Sequence, residues 1–238
     1  LIMVIAFIGL GEVGSTYSSG LARNGATVKG YDIKFDTEGK ENFVNYQKCL
    51  DAGVQLVDSP KELIEGSDII IAVTSCSQAM ETAAMYKPFL KKEQRYCEWN
   101  STVPDLVRKV EAFLGDNCTF VDCCTLCSPS MFGVATPCCS CGPAGEQTAN
   151  ELNAYGMKIR YMGDSIGQAS AFKVIRSIFT KSLEATLVES LACARYYGVE
   201  EDIFKSIVEF LTDEPTDETL AMMVRTNMIH SKRRGDEI

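Results

Sequence analysis

The sequence predicts an α/β fold: a doubly wound parallel sheet, then a small all-α domain reached through a long interdomain helix. Three observations carry this. From Met3 to Met162 short apolar runs alternate with stretches of helical period, the pattern of repeated strand–helix units. Asp68 to Val73 is almost wholly apolar, as a central parallel strand covered on both faces must be. After Gly163 no strand pattern recurs, and a proline-free helical stretch runs from about Gly167 to Tyr197. The expected division is therefore 1–163 and 164–238.

The first strand, Met3 to Ile8, leads into Gly9-Leu10-Gly11-Glu12-Val13-Gly14. Gly9 permits a tight turn because it tolerates positive φ. Gly11 leaves the backbone open to a pyrophosphate, and Gly14 lets the helix pack close to the sheet. Val13, Tyr17 and Leu21 fall at i, i+4 and i+8, one buried face of the helix that Gly25 ends. Its N-terminus offers unpaired N–H groups and partial positive charge to phosphates. A second strand closes at Asp32, 21 residues after Gly11, where an acid meets ribose hydroxyls. Strand, glycines, helix, strand and acid in this register define a Rossmann-type dinucleotide site.

Val54 to Val57 reads as a short strand, and Ser59-Pro60-Lys61-Glu62 as a capping box with proline at the first helical position. Gly66 ends that helix. Ser77 to Leu90 is a helix and Tyr96 to Trp99 a strand; Thr102-Val103-Pro104-Asp105 opens a helix ending near Gly115. Thr119 to Val121, Pro137 to Cys141 and Lys158 to Met162 complete the strands. In the long helix Phe172, Ile175, Phe179, Leu183, Leu187 and Leu191 form an apolar stripe, and Gly198 suits the position after its end. Two helices follow, about 201–211 and 216–234. Three such helices have little core of their own, so a homodimer through the helical domain is expected.

Composition narrows the function. A net charge of −9 disfavours nucleic acid and anionic membranes as partners. The longest apolar run is too short for a bilayer, and no signal peptide is evident. Eleven cysteines without a secretory signal point to a reducing cytoplasm. Leu1 reads as an upstream remnant, with Met3 as the initiator.

Four segments, in order, resemble the β-hydroxyacid dehydrogenases, the family of 3-hydroxyisobutyrate and 6-phosphogluconate dehydrogenases. Gly9 to Gly14 is similar to its GLGxMG. Asn100-Ser101-Thr102-Val103-Pro104 resembles its STxxP loop near the nicotinamide. Phe120-Val121-Asp122 and the loop after it stand where its substrate loop does. Gly163-Asp164-Ser165-Ile166-Gly167, with Lys173 six residues later, resembles the motif carrying its catalytic lysine. Ala169 to Lys173 with Arg176-Ser177, and the tail His230, Arg233, Arg234 and Glu237, resemble more closely a 6-phosphogluconate-dehydrogenase-like branch. That branch usually continues past this point, so the helical domain reads as abbreviated. Two departures concern the substrate: Ser177 stands where the family carries asparagine, and the loop reads Asp122-Cys123-Cys124-Thr125-Leu126-Cys127-Ser128-Pro129 in place of Ser-Gly-Gly.

The resemblance implies a nicotinamide-dependent dehydrogenase acting on a small hydroxy acid or its oxo form. Lys173 is its general acid/base, with Ser177 beside it; by periodicity alone Lys173 reads as a solvated helix residue. Expected cofactor contacts are Gly9, Gly11, Glu12, Val13, Gly14, Asp32, Thr74, Ser75 and Thr102. Expected substrate contacts are Thr125, Cys127 and Ser128, with Arg176 and Lys181 as candidate partners for an acidic group. Asp32 favours NAD, because a carboxylate accepts from the ribose 2′-hydroxyl and repels a 2′-phosphate; Lys34 close by leaves NADP open. Thr102 is read as a nicotinamide contact, a helix cap, or both. Cys124, Cys127, Cys138 and Cys141 have a spacing zinc uses, but small buriable thiols filling core and loop positions is the preferred reading, with no metal. His230, the single histidine, reads as a surface or interface residue. A rival from another class is a non-catalytic dinucleotide-binding redox sensor whose cysteine segment is a metal or thiol switch.

Overall fold

The structure is a computed structural model describing the backbone of residues 3–212 and 215–235 and side chains as far as Arg225. The C-terminal His230, Arg233, Arg234 and Glu237 therefore lie outside the described side chains. The elements run β1 (Val4–Ile8), α1 (Glu12–Arg23), β2 (Thr27–Tyr31), α2 (Tyr46–Asp51), β3 (Gln55–Leu56), α3 (Pro60–Ile64), β4 (Ile69–Ala72), α4 (Ala79–Tyr86) and β5 (Arg95–Glu98). They continue with α5 (Pro104–Leu114), β6 (Thr119–Thr125), α6 (Pro129–Phe132), β7 (Pro137–Cys141), α7 (Gly145–Asn153), β8 (Lys158–Tyr161), α8 (Gln168–Tyr197), α9 (Glu200–Thr212) and α10 (Thr216–Gly235).

One eight-stranded sheet has the order β3-β2-β1-β4-β5-β6-β7-β8. The chain leaves β1 toward β2 on one side and returns to β4 on the other. The switch point therefore lies between β1 and β4, where open α/β sheets bind ligands at the carboxyl ends of their strands. Ile69, Ile70, Ile71 and Ala72 of β4 are fully buried, which explains their unbroken apolar run. The capping box forms, with a twist: Ser59 Oγ accepts from Glu62 N–H at 3.2 Å, but the Glu62 carboxylate reaches Asp58 N–H at 3.1 Å.

The sheet departs from an all-parallel one. β7 pairs antiparallel with β6, with Asp122 opposite Cys141, Cys124 opposite Cys139 and Thr125 opposite Cys138. This pairing carries β6 on to Thr125, so Cys123 and Cys124 belong to a buried strand and not to the loop expected after Asp122. The loop proper begins at Leu126. Three helices lacked a clear sequence signal, α2, α6 and α7.

By backbone packing the chain forms two compact units, Leu1–Ser177 and Ile178–Ile238. The first contains the sheet, its covering helices and the first turns of α8. The second contains the rest of α8 with α9 and α10, and leaves Phe179, Leu183, Val188, Phe204, Val208 and Phe210 exposed. Among the described residues, no helix is long and apolar enough to cross a membrane.

Candidate active site

The glycine turn sits at the switch point. Gly9 has φ +89°, and a Cβ there would lie 2.3 Å from the Val73 carbonyl oxygen. A Cβ on Gly14 would lie 2.1 Å from the Gly9 carbonyl oxygen, so Gly14 lets the start of α1 close onto the turn. At Gly11 a Cβ would meet nothing within 4 Å, so its backbone is open, as the approach of a pyrophosphate to a helix N-terminus requires.

A pocket of about 240 Å³ opens beside this turn. It is lined by Gly9, Gly11, Asp32, Lys34 and Thr74, and also by Ile33, Gln78, Glu81 and Thr82, which sequence reasoning did not single out. Asp32 follows β2 with its carboxylate fixed: Oδ2 accepts from Leu10 N–H at 2.8 Å and Oδ1 from Lys34 N–H at 3.1 Å. The Lys34 ammonium is drawn to Glu38 at 3.4 Å. Ser75 sits next to Thr74, but its hydroxyl turns to Ser77 and Gln78.

Further along the same sheet edge lies a second pocket of about 370 Å³, lined by Val13, Trp99, Ser101, Thr125, Leu126, Cys127, Ser128, Pro129 and Lys173. The three expected substrate-loop residues and the expected catalytic lysine thus share one cavity. Lys173 Nζ donates to Ser101 Oγ. Ser101 has φ +60°, alone in the left-handed region among the described non-glycine residues, and such backbone strain concentrates at functional sites. Ser177 is half-buried one helical turn beyond Lys173. Arg176 donates to the Leu126 carbonyl at 2.8 Å, at the start of the loop.

The Thr125 hydroxyl is engaged with its own structure. It accepts from Trp99 Nε1 at 3.0 Å and meets the Tyr17 hydroxyl at 3.0 Å, while Tyr17 also reaches Cys138 Sγ at 3.4 Å. Thr125 therefore fixes the indole that floors the cavity.

Between the two pockets lies a buried polar cluster on and after β5. Asn100 Oδ1 accepts from the Thr74 backbone N–H and, at 3.2 Å, from the Thr74 hydroxyl, tying the ends of β4 and β5 together. The buried Asn100 Nδ2 and Thr102 Oγ1 have no partner within the protein. Two orphaned polar groups at the inner end of the cleft, with the open backbone at Gly11, fit a nicotinamide cofactor, because they leave hydrogen bonds that the protein itself does not make. Glu98, next to them, is also buried; burial pushes its carboxyl up to about 7. Its Oε1 accepts from Asn100 N–H at 3.1 Å, and Oε2 has no protein partner. It stands in register beside Asp122 of β6.

The cysteines separate by the alternation of strand side chains. Cys124, Cys139 and Cys141 pack together on one face of the sheet, while Cys123 and Cys138 belong to the main core on the other. The quartet Cys124, Cys127, Cys138 and Cys141 therefore does not converge on a point, because Cys138 faces away from Cys124 and Cys141. Among the described residues no group of three or more His, Cys, Asp or Glu side chains is placed to hold a metal. Burial pushes the Cys138 thiol up to about 11 and the Cys141 thiol to about 12.

With this geometry in place, comparison with known proteins is informative. The chain belongs to the family of the NAD binding domain of 6-phosphogluconate dehydrogenase, which it matches over residues 4–125. An uncharacterized 28.5 kDa protein in the 7S RNA 5′ region of Methanothermus fervidus is 28% identical over 99% of this chain and 88% of its own. A conserved hypothetical protein from Sinorhizobium meliloti 1021 is 27% identical, with a TM-score of 0.74 over 91% of this chain and 72% of its own. MTH1747, a conserved protein of unknown function described as structurally similar to 3-hydroxyacid dehydrogenases, is 25% identical, with a TM-score of 0.73 over 99% and 86%. The fold, family and cleft are those of an NAD(P)-dependent oxidoreductase, and the cofactor is NAD, with NADP compatible.

Proposed function

We propose that the protein moves a hydride between NAD and the carbon of a small hydroxy acid, or of its oxo form, with Lys173 as general acid/base. The observation that carries this is the lysine itself: its ammonium is held by Ser101 inside a cavity that also contains Trp99, Thr125, Cys127 and Ser128. The nicotinamide ring, when bound, supplies the two-electron acceptor or donor. In the oxidative direction Lys173, as the free amine, takes the substrate hydroxyl proton and becomes the ammonium while the hydride goes to the nicotinamide; in the reductive direction the ammonium gives that proton to the carbonyl oxygen. Ser101 holds Lys173 Nζ in place between turnovers. Cys127 and Ser128 bound the substrate on the loop side. Arg176, at the mouth of that loop, is the cation assigned to the substrate's carboxylate, and Ser177 fills the family's asparagine position one turn beyond the lysine.

Asp32 favours NAD: its oxygens are fixed by Leu10 and Lys34 N–H groups so that they present a negative edge to the ribose. The exposed apolar side chains of the second unit support a homodimer built through the helical part, 164–238. Against the redox-sensor reading stand thiols that burial keeps protonated in the cysteine segment, since the thiolate is the reactive form.

The test is a thermal-shift comparison of NAD and NADP, followed by a panel of small hydroxy acids read as nicotinamide reduction. Stabilisation by NAD and turnover on at least one acid are expected, with turnover abolished in Lys173→Met while stabilisation by NAD persists. Undiminished turnover in that variant removes Lys173 from the mechanism. Stabilisation without turnover across the panel favours the sensor.

A further inference from the structure

The geometry assigns Asp122 the part of a positioning residue: its carboxylate caps the N-terminus of α8 and thereby holds Lys173 against Ser101. This rests on the proton-transfer reading of Lys173 for its functional meaning, but not for its geometry.

A helix begins with N–H groups that have no partner in the helix. At α8 the residue before the first turn is Gly167, which has no side chain to cap with, so partners come from elsewhere. Gly167 and Ser170 N–H both donate to Asp122 Oδ2, at 3.1 Å each. Ala169 N–H points at Cys141 Sγ at 3.2 Å, and Gln168 N–H takes the Ser165 carbonyl at 3.2 Å. The regular ladder starts only at Ala171, on the Gly167 carbonyl. The remaining Asp122 contacts reinforce the cap: Ser170 Oγ donates to Oδ1 at 2.7 Å, and the Cys141 thiol to Oδ2 at 3.2 Å.

Asp122 is fully buried, and each of its named bonds goes to the start of α8 or to β7. A carboxylate at a helix N-terminus is also favoured by the helix dipole, and charge-assisted bonds are the strong ones. From Ser170 to Lys173 the helix rises only about 4.5 Å, too short to absorb a tilt at its first turn. Three residues after Asp122 its own strand supplies Thr125, and the following loop Cys127 and Ser128, all in the lysine's cavity. One carboxylate thus sets the lysine against both the Ser101 loop and the substrate wall.

The test uses the full chain in three variants, Asp122→Ala, Asp122→Asn and Ser170→Ala, with two readouts that need no substrate. The first is hydrogen exchange of a peptide spanning 163–172 against one containing Ile69–Ala72. The second is the pH profile of Lys173 acetylation by acetic anhydride, with Lys158 of β8 as internal reference. In Asp122→Ala, exchange in 163–172 should quicken by about tenfold or more while Ile69–Ala72 stays unchanged, and the Lys173 profile should shift while that of Lys158 does not. Asp122→Asn, which keeps an acceptor oxygen and the shape, should restore both in part, and Ser170→Ala should show a weaker effect of the same kind. Exchange rising equally in both peptides reduces Asp122 to a general stability residue and overturns the proposal. So does faster local exchange with an unmoved Lys173 profile, or no change in either. Should Asp122→Ala fail to fold, the other two variants give the same decision. Because neither readout uses turnover, a failed hydroxy-acid panel leaves this result intact and refutes only the reaction.

Discussion

Replacing Glu98 with glutamine should change the pH dependence of stability more than stability itself. Glu98 is buried on β5 beside Asp122 and Tyr96, and its Oε2 has no protein partner. Its carboxyl is raised from 4.5 to about 7, first by burial and further by the Asp122 charge, with bonds from Asn100 opposing. Between those two values the folded chain holds a proton that the unfolded chain has released. Stability therefore falls as pH rises through this window, and levels off above about 7. At about 1.4 kcal/mol per pH unit, the penalty carried by ionised Glu98 comes to about 3 kcal/mol. Glutamine is neutral throughout and pays none of it. Urea denaturation of both proteins at pH 5, 6, 7 and 8 gives the measurement. The stability of Glu98→Gln relative to the parent should rise by about 2–3 kcal/mol from pH 5 to pH 8. Curves that stay parallel within about 0.5 kcal/mol would show that water or a neighbouring group solvates the carboxylate, and the buried-acid argument would be wrong.

Other outcomes follow from the same geometry. Gly14→Ala drives a methyl into the Gly9 carbonyl at 2.1 Å, so NAD affinity should drop by tenfold or more in a titration even where the variant folds. If Asp32, which lines the cleft, is the acceptor for the ribose, Asp32→Ala should narrow the preference for NAD over NADP by about tenfold, read as the ratio of the two dissociation constants. Tyr17→Phe removes the hydroxyl that meets Thr125 and Cys138 and should cost about 1–2 kcal/mol in denaturant melts, with a shifted emission from Trp99, the sole tryptophan. Metal analysis of the purified protein should find no stoichiometric zinc, since the two sheet faces divide the cysteines; one zinc per chain would overturn that geometry.

Much of the candidate site is legible in the sequence because its signals are local. Gly9, Gly14 and Asp32 announce themselves through turn geometry and register, and β4 through an uninterrupted apolar run. Lys173 was found by resemblance, since a lone lysine on a helix has no local mark. What stayed hidden depends on distant pairing. No residue near Pro137 signals that β7 runs against β6, so the sequence pattern ends β6 at Val121 and leaves its last cysteines to a loop. The zinc-like spacing was read along the chain, whereas strand alternation sorts the same thiols by face. The cap on α8 joins residues 45 and 48 positions apart. The orphaned Asn100 amide gains its meaning only once Thr74 has been brought against it from β4.

The reversal of β7 also determines where this enzyme can change. β6 ends and β7 begins at the same rim of the sheet, so residues 126–136 form an excursion anchored at both ends by paired strands. That excursion carries Cys127 and Ser128 into the lysine's cavity and seats Val134 where a Cβ on Gly20 of α1 would touch it, 2.5 Å away. Neither the nucleotide cleft nor the lysine's helix runs through it. Exchanging its eleven residues for those of a relative should therefore reshape the wall of the lysine's cavity while the nucleotide cleft is left in place.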